Sequence, residues 1–236
     1  MGGDFPHIQE GFRSAMPTPE QILAGLREIA NSWQVLAAFW HLYGLALAVV
    51  LIAGGRPPKR LAGVLLALPL FSVSTVAWLS HNPFNGAVFA ALALLVVVIS
   101  LRLPREEVRV APPWATVAGI LMVIFGLVYP HFLETSTFVT YLYAAPVGLI
   151  PCPTLSLVIG LALVADGLGA RTLPLVLGFS GIFYGATGAL QLGVSLDWVL
   201  LVGSLVIVIV AMRRTKAAEA SAVPPAPQTG RPGSPA

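Results

Sequence analysis

Long apolar runs separated by short charged stretches are the feature that most constrains this chain. Of its 236 residues, 57% are hydrophobic and only 10% are charged, whereas a soluble domain carries about 25% charged residues. A run of about 20 apolar residues is long enough to cross the hydrocarbon core of a bilayer as one helix. The sequence therefore predicts an all-α, polytopic membrane helical bundle, with the lipid bilayer as its main partner.

Seven candidate spans can be placed along the chain, at residues 33–54, 61–79, 86–103, 114–132, 138–165, 173–192 and 198–212. The predicted organisation is a flexible N-terminus at 1–17, an amphipathic surface helix at 18–31, a membrane domain at 32–214 and a disordered tail at 215–236. The tail is dominated by Pro, Ala, Gly and Ser and offers nothing for a core. A retinal protein is excluded because Lys59 and Lys216 both lie at span ends and a Schiff base needs a lysine within a span.

The segment before the first span has the pattern of a helix that is apolar on one side. Thr18 is a good N-cap and Pro19 a good first helical residue. Four apolar residues then recur at helical spacing, namely Ile22, Leu23, Leu26 and Ile29. This predicts a helix lying on the membrane surface. The alternative is a soluble cap that packs on the bundle.

Basic residues predict the orientation, because loops rich in Lys and Arg stay in the cytoplasm. They occur in the first, third and fifth loops and after the last span, at Arg56, Lys59, Arg60, Arg102, Arg105, Arg109, Arg171, Arg213, Arg214 and Lys216. The second, fourth and sixth loops contain none. Seven spans with the N-terminus outside and the C-terminus in the cytoplasm satisfy every loop. The net charge of +3 forms no basic patch on a polar face, so no nucleic-acid partner is indicated.

Polar side chains concentrate in the outer half of the predicted bundle. His41 lies about eight residues into its span, roughly 12 Å below the outer surface. An ionisable group at that depth is a functional candidate by default and should face the interior or a cavity. The alternative is a neutral histidine hydrogen-bonded to a neighbouring span, such as one carrying Thr75 or Tyr184.

The Pro151-Cys152-Pro153 sequence predicts a break in the fifth span. Residues before proline avoid helical geometry, so an extended segment is expected at 148–152, with a helix beginning between Cys152 and Thr154. This helix would start roughly 10 Å below the outer surface. Its unpaired N–H groups would suit an anion or another polar ligand. The alternative is a proline kink with a structural cysteine.

The similar depths of His41 and Cys152 suggest one outward-facing pocket, with the two side chains within roughly 10 Å of each other. The candidate ligand-binding residues are His41, Thr75, Tyr129, His131, Cys152, Thr154 and Tyr184. The leading hypothesis is binding or permeation of a small polar or anionic solute. The alternatives are an accessory or structural membrane protein, and a metal- or thiol-redox-handling protein that uses Cys152 and His41. An enzyme is least favoured, because the spans contain no paired acids and no ligand triad, and no cofactor is indicated.

Four short motifs resemble those of a family of uncharacterised bacterial multi-pass inner-membrane proteins, defined as a domain of unknown function. They are Thr18-Pro19-Glu20-Gln21, Asn82-Pro83, Tyr129-Pro130, and the segment Gly148-Leu149-Ile150-Pro151-Cys152-Pro153-Thr154, which is similar to the family's G-L-P-C-P-T. The additional Ile150 departs from the family's spacing. The resemblance implies a bacterial inner-membrane location and a multi-span topology, and it implies no particular activity.

Overall fold

The computed structural model describes residues 17–222, with side chains as far as residue 213. Helices account for nearly all of the regular structure in this part of the chain, where β pairing is limited to one isolated bridge between Pro58 and Glu107. The predicted all-α class is therefore confirmed. Of the predicted flexible N-terminus, residues 1–16 lie outside the described residues, and so does the predicted tail from residue 223 onward.

Nine α-helices follow one another along the described chain, and short helical turns join some of them. They are α1 Pro19–Ser32, α2 Gln34–Ile52, α3 Lys59–Leu79, α4 Pro83–Arg102, α5 Pro113–Val128, α6 Tyr141–Ala144, α7 Pro151–Val164, α8 Thr172–Ala186 and α9 Asp197–Ala222. Two 3₁₀ turns, Phe138–Thr140 and Asp166–Gly169, precede α6 and follow α7, and a π-helical turn, Thr187–Gln191, extends α8. The last helix continues to Ala222, through the first part of the segment expected to be a disordered tail.

Four helices within the described residues are long and apolar enough to cross a membrane. They are α2, α3, α4 and the continuous stretch Thr172–Gln191 formed by α8 and its π turn. Helices α5 and α7 are apolar but shorter, with 16 and 14 residues. The structure therefore shows several apolar helices compatible with a membrane protein and supports four of the seven expected spans.

Helix α7 forms the centre of the bundle. Every one of its residues except Cys152 is buried. It crosses α5 with backbones in contact, because Gly119 and Gly160 face each other there. A Cβ atom added to Gly119 would lie 2.7 Å from the Gly160 carbonyl oxygen, and one added to Gly160 would lie 2.6 Å from that of Gly119. Side chains at either position would separate the two helices, so the glycines set their distance.

Helices α8 and α9 form a second closely packed pair. The sequence Gly181-Ile-Phe-Tyr-Gly185 places two glycines one turn apart on α8. Side chains of α9 occupy the space that these glycines leave, with Ser204 against Gly181 and Leu201 against Gly185. Small residues at this spacing allow close helix contact. The motif is used here for packing within the chain.

Helix α1 packs on the protein with its apolar face, as in the soluble-cap alternative. Thr18 is the N-cap as expected, and it forms a capping box with Gln21. Leu26 and Ile29 are buried in a cluster with loop residues that follow α5. Asn31 fixes the contact, since its side-chain amide donates to the Phe132 carbonyl at 3.0 Å and its amide oxygen accepts from the backbone of residue 134 at 2.9 Å. The loop thus offers α1 both apolar surface and hydrogen-bond partners, and a position of α1 on the membrane surface stays a prediction.

Helices α2 and α3 are consecutive in sequence but approach each other closely at few points. Two side chains bridge them. The Trp40 indole donates to Ser72 at 2.8 Å, and the Tyr43 hydroxyl donates to the Leu65 carbonyl at 2.9 Å. Between these two bridges and the loop that joins the helices, α2 and α3 do not pack closely against each other.

Candidate functional site

The break before α7 exists, but it lies earlier than the sequence indicates. Residues 145–150 form turns, Ile150 is extended (φ −126°, ψ 158°), and the helix begins at Pro151. The prediction that residues 151 and 152 are extended, with Cys152 as N-cap, is therefore wrong. The first turn of a helix donates no internal hydrogen bonds, so it accepts both Pro151 and Pro153. Cys152 becomes the second helical residue, and the span is broken ahead of the Pro-Cys-Pro sequence.

Thr154 stabilises this break and is fully buried. Its hydroxyl accepts from the Gly148 N–H at 2.8 Å and donates to the Ile150 carbonyl at 2.7 Å. Gly148 has a positive φ of 72°, and the Trp40 indole packs where a side chain would be. Only glycine meets both conditions without strain. Thr154, a candidate ligand from sequence, thus has a structural role in which its hydroxyl bonds backbone on both sides.

The central feature of the site is the carboxylate of Asp197, which the sequence analysis did not select. Asp197 is the first residue of α9 and is only 2% exposed. The Tyr129 hydroxyl donates to one of its oxygens at 2.7 Å, and the Cys152 thiol donates to the other at 3.2 Å. Residues from the end of α5, the start of α7 and the start of α9 therefore converge on one buried acid. We call Tyr129, Cys152 and Asp197 the Asp197 site.

Among the described residues, no Lys, Arg or His side chain forms an ion pair with this carboxylate. The ion pair found in this part of the chain joins Lys59 to Glu106. The first turns of α7 and α9 provide partial positive charge instead, since Cys152 and Asp197 both lie in the first turn of a helix. The sequence predicts a site for an anion or another polar ligand from outside the chain at the start of α7. The protein's own carboxylate lies there instead, within hydrogen-bond reach of Cys152.

A π-helical turn forms another wall of the site. Residues Thr187–Gln191 interrupt the regular helix at the end of α8. Within this turn, a Cβ atom added to Gly188 would collide with an Asp197 carboxylate oxygen. The Gly188 carbonyl also accepts from the Val194 N–H at 2.9 Å, and the Val194 carbonyl accepts from the Asp197 N–H at 3.0 Å. Isolated π turns are rare and occur often at functional sites.

A second buried polar pair joins α8 to α4. The Tyr184 hydroxyl donates to the side-chain oxygen of Asn85 at 2.8 Å, and both residues are buried. The Tyr184 ring packs against Phe89, with ring centroids 5.3 Å apart. Tyr184 is thus a buried residue whose hydroxyl bonds Asn85 rather than His41, and its role in ligand binding stays a prediction.

His41 is buried, but its hydrogen bonds go to backbone carbonyls of Ala37 on its own helix and Leu127 on α5. A neutral imidazole has one N–H and can donate to only one of these carbonyls, whereas an imidazolium donates to both. Thr75 is exposed and bonds its own helix at the Phe71 carbonyl, so it is not a partner of His41. His41 is thus hydrogen-bonded to a neighbouring helix, as in the alternative given above. A pocket that His41 shares with Cys152 stays a prediction.

His131 lies half-buried next to the Asp197 site. Its ring packs edge-on against Phe132, with centroids 4.2 Å apart, and lies 6.4 Å from the Tyr129 ring. Burial lowers the pKa of His131 from its ordinary value, and the nearby positive charge of Arg27 on α1 lowers the pKa further. The neutral ring is therefore the favoured form beside Tyr129.

The residues described here contain no group of three or more His, Cys, Asp or Glu side chains that could hold a metal ion. The soft-metal alternative for Cys152 with His41 and His131 therefore has no ligand cluster in this part of the chain. Of the predicted candidates, the site unites Tyr129 and Cys152 and has His131 as a neighbour. Asp197 was not among these candidates, and the local signal for it is a lone acid directly before an apolar run.

No family model, curated protein or solved structure matches this chain. The resemblance to the bacterial inner-membrane family consequently stays a prediction.

Proposed function

We propose that this chain is a seven-span protein of the bacterial inner membrane, with its N-terminus outside and its C-terminus in the cytoplasm. The alternation of basic and uncharged loops supports this topology. So do four long apolar helices and the apolar α5 and α7. Their 16 and 14 residues correspond to roughly 24 and 21 Å, which flanking turns would extend toward the 30 Å hydrocarbon core.

The function that we propose is binding of a small polar solute at the Asp197 site, as one step of its permeation from the outer side. The observation that carries this proposal is a buried carboxylate that receives two hydrogen bonds and has no cation partner among the described residues. Non-helical backbone at membrane depth is tolerated where it is buried in protein or lines a wet cavity. The irregular turn Thr187–Gln191 borders this carboxylate at Gly188, and the irregular segment at residues 145–150 directly precedes the helical turn that carries Cys152.

The charge of the site favours one class of solute. Burying a carboxylate costs several kcal/mol, and each charge-assisted hydrogen bond returns about 1.5–3 kcal/mol. A proton, a small cation or a solute with hydrogen-bond donors would offset the remaining free-energy cost of burying the carboxylate. An anion would meet a negative charge at close range. The geometry therefore supports a cationic or neutral polar solute over the anionic solute that the leading hypothesis included.

The test uses the purified full-length protein in lipid nanodiscs. We expect protons or small cations to raise the Tm of the wild type, and the Asp197→Asn variant to lose this rise because it keeps the shape of the side chain without its charge. Glu106→Gln, which removes an exposed carboxylate elsewhere, is the matched control and should keep the response. A ligand present at about 100 times its Kd stabilises the protein by about 2.7 kcal/mol, which a melting curve resolves. An undiminished response in Asp197→Asn would refute the proposal.

The second candidate is an accessory or structural membrane protein. It is favoured by the observation that the hydroxyls of Tyr129, Thr154 and Tyr184 all have protein partners. Proteoliposomes loaded with a pH-sensitive dye distinguish the two candidates. A proton or cation flux that Asp197→Asn abolishes supports permeation, whereas equal leakage from protein-containing and empty liposomes supports the structural role.

A further inference from the structure

An apolar groove separates α2 from α3, on the part of these helices nearest to the loop that joins them. It exists because the two helices approach each other closely at few points. Leu, Val, Pro and Ala side chains line the groove throughout. Its walls and floor include Leu47, Val50, Leu51, Leu65, Leu66 and Leu161. Val50 is 48% exposed, so the groove is open on the side that would face lipid.

Basic side chains lie at the mouth of this groove. Pro57 lines the groove, and its carbonyl accepts from the Val108 N–H at 3.0 Å. Arg56 and Arg109 line a polar depression that Val108 shares, and Glu106 and Glu107 line it as well. The Arg56 guanidinium donates to the carbonyl of Leu51 at 3.2 Å, and Leu51 is itself a groove residue. This bond holds the positive charge where the apolar groove ends.

The two loops that form the mouth remain positive together after their acids are counted. The two loops carry six basic residues, namely Arg56, Lys59, Arg60, Arg102, Arg105 and Arg109, against the two acids Glu106 and Glu107, which leaves a net charge of +4. Glu106 is engaged by Lys59, since the ammonium nitrogen lies 2.6 Å from its carboxylate. We call this surface the basic end.

We propose that the groove binds one acyl chain of an anionic phospholipid whose headgroup phosphate contacts Arg56 and Arg109. The aliphatic lining matches a hydrocarbon chain, and the basic mouth matches a phosphate. Basic pockets between spans on the cytoplasmic side are suited to anionic headgroups. The acyl chain of a zwitterionic lipid of the same length would fill the groove equally well. Its headgroup has no net charge, so it would gain less binding free energy from the basic residues at the mouth. This site is separate from the Asp197 site; it rests on the proposed membrane topology and not on solute binding at Asp197.

Native mass spectrometry of the detergent-purified full-length protein tests the headgroup contact. The probes are dioleoyl phosphatidylglycerol and dioleoyl phosphatidylcholine, which share acyl chains and differ in headgroup charge. A basic residue near anionic lipid is worth about fivefold in binding. We therefore expect the preference for phosphatidylglycerol to fall by about fivefold in Arg56→Gln or Arg109→Gln, and by more in the double variant. Arg171→Gln, an exposed arginine of another loop, is the matched control.

Filling the groove tests the acyl contact independently. Val50→Trp places a large side chain in the groove, whereas Val49→Trp adds the same bulk to a neighbouring residue that is 54% exposed and does not line it. We expect Val50→Trp to reduce retention of both lipids and Val49→Trp to leave it unchanged. The proposal is overturned if Arg171→Gln lowers the preference as much as Arg56→Gln does, because the effect would then be general surface charge. Equal retention in the two tryptophan variants also overturns it.

Discussion

Two buried charged side chains, Asp197 and Lys59, mark opposite ends of the α5–α7 pair. The Asp197 site lies where α5 ends and α7 begins. Lys59 lies where α5 begins and α7 ends, because the Ala111 N–H before α5 bonds the Val164 carbonyl and the Lys59 N–H bonds the Glu106 carbonyl of the same loop. The two side chains have almost the same burial, at 2% and 7% exposed.

The hydrogen-bond partners of Lys59 and Asp197 differ. The charge of Lys59 is paired within the protein, whereas the charge of Asp197 is left to interact with a proton or a cation. Lys59 has a full counter-charge in Glu106, whose side chain is 62% exposed to the surroundings. Asp197 lies in a confined space and accepts hydrogen bonds from two neutral groups, the Tyr129 hydroxyl and the Cys152 thiol. It forms no ion pair within the described residues. A paired ion at a wet surface has little to gain from a ligand. A buried acid held by neutral donors retains affinity for positive charge, so the two ends should respond differently to substitution and to pH.

The largest effect is expected from Gly188→Val, which tests the confinement of Asp197. The added side chain would meet the carboxylate directly. Overpacking of a filled interior costs about 1–3 kcal/mol, so the Tm of the purified protein should fall clearly. Gly25→Ala is the control, because nothing lies within 4 Å of a Cβ atom there and α1 should tolerate or welcome alanine. Unchanged stability of Gly188→Val would show that the carboxylate has free space.

The next effect concerns the donors to Asp197. Tyr129→Phe removes a hydroxyl bonded to a carboxylate, and Tyr43→Phe removes one bonded to a neutral carbonyl. Bonds to charged groups are worth about 1.5–3 kcal/mol and neutral ones about 0.5–1.5 kcal/mol. Denaturant unfolding in detergent should therefore show a larger loss for Tyr129→Phe. If both variants lost the same free energy of unfolding, the Asp197 carboxylate would be no stronger a hydrogen-bond acceptor than a neutral carbonyl.

A smaller effect is expected from acid at His131. Its pKa in the folded protein is lowered from the ordinary value of 6.5 by burial and then by Arg27. The folded state thus favours the neutral ring, so stability should decrease as the pH falls below about 6.5 toward the lowered pKa. His131→Gln should flatten the fall of Tm over this range, and Arg27→Gln should reduce it in part. A Tm that is independent of His131 at every pH would contradict this.

The smallest effect is expected at the basic end. Lys59 lowers the pKa of Glu106 below its ordinary value of 4.5 through their hydrogen bond and then their charge attraction. This contribution is present at neutral pH and is lost as the pH falls through the lowered pKa. Glu106→Gln should lower the Tm slightly at pH 7 and not at all in strong acid, since exposure weakens the pair. Glu107→Gln is the control in the same loop, and an equal loss there would show that the pair contributes nothing specific.

The helices were predictable because each apolar run has a length and flanking residues that specify it. The break before α7 was also predictable from Pro151 and Pro153, although both prolines fit inside the first turn and the break moved ahead of them. The N-cap of α1 was visible at Thr18. Whether the apolar face of α1 met lipid or protein depended on the loop at Phe132, which local pattern does not reveal.

The Asp197 site was not predictable from sequence, because Tyr129, Cys152 and Asp197 are brought together only by the packing of α5, α7 and α9. An acid before an apolar run is ordinarily a helix cap, and nothing local distinguishes one that turns inward. His41 shows the opposite case. Its depth indicated a functional group, whereas the structure provides it with two backbone acceptors.

The glycine contacts described above have a mechanical consequence. Because their backbones meet at Gly119 and Gly160, α5 and α7 should move together as one body, and the contacts of Gly181 and Gly185 with α9 should do the same for α8 and α9. Tyr129 and Cys152 belong to the first body and Asp197 to the second, so their two hydrogen bonds lie across the joint between the bodies. We expect a proton or cation bound at Asp197 to stabilise the folded protein as a whole while it weakens these two hydrogen bonds, so that the two bodies can rotate relative to each other.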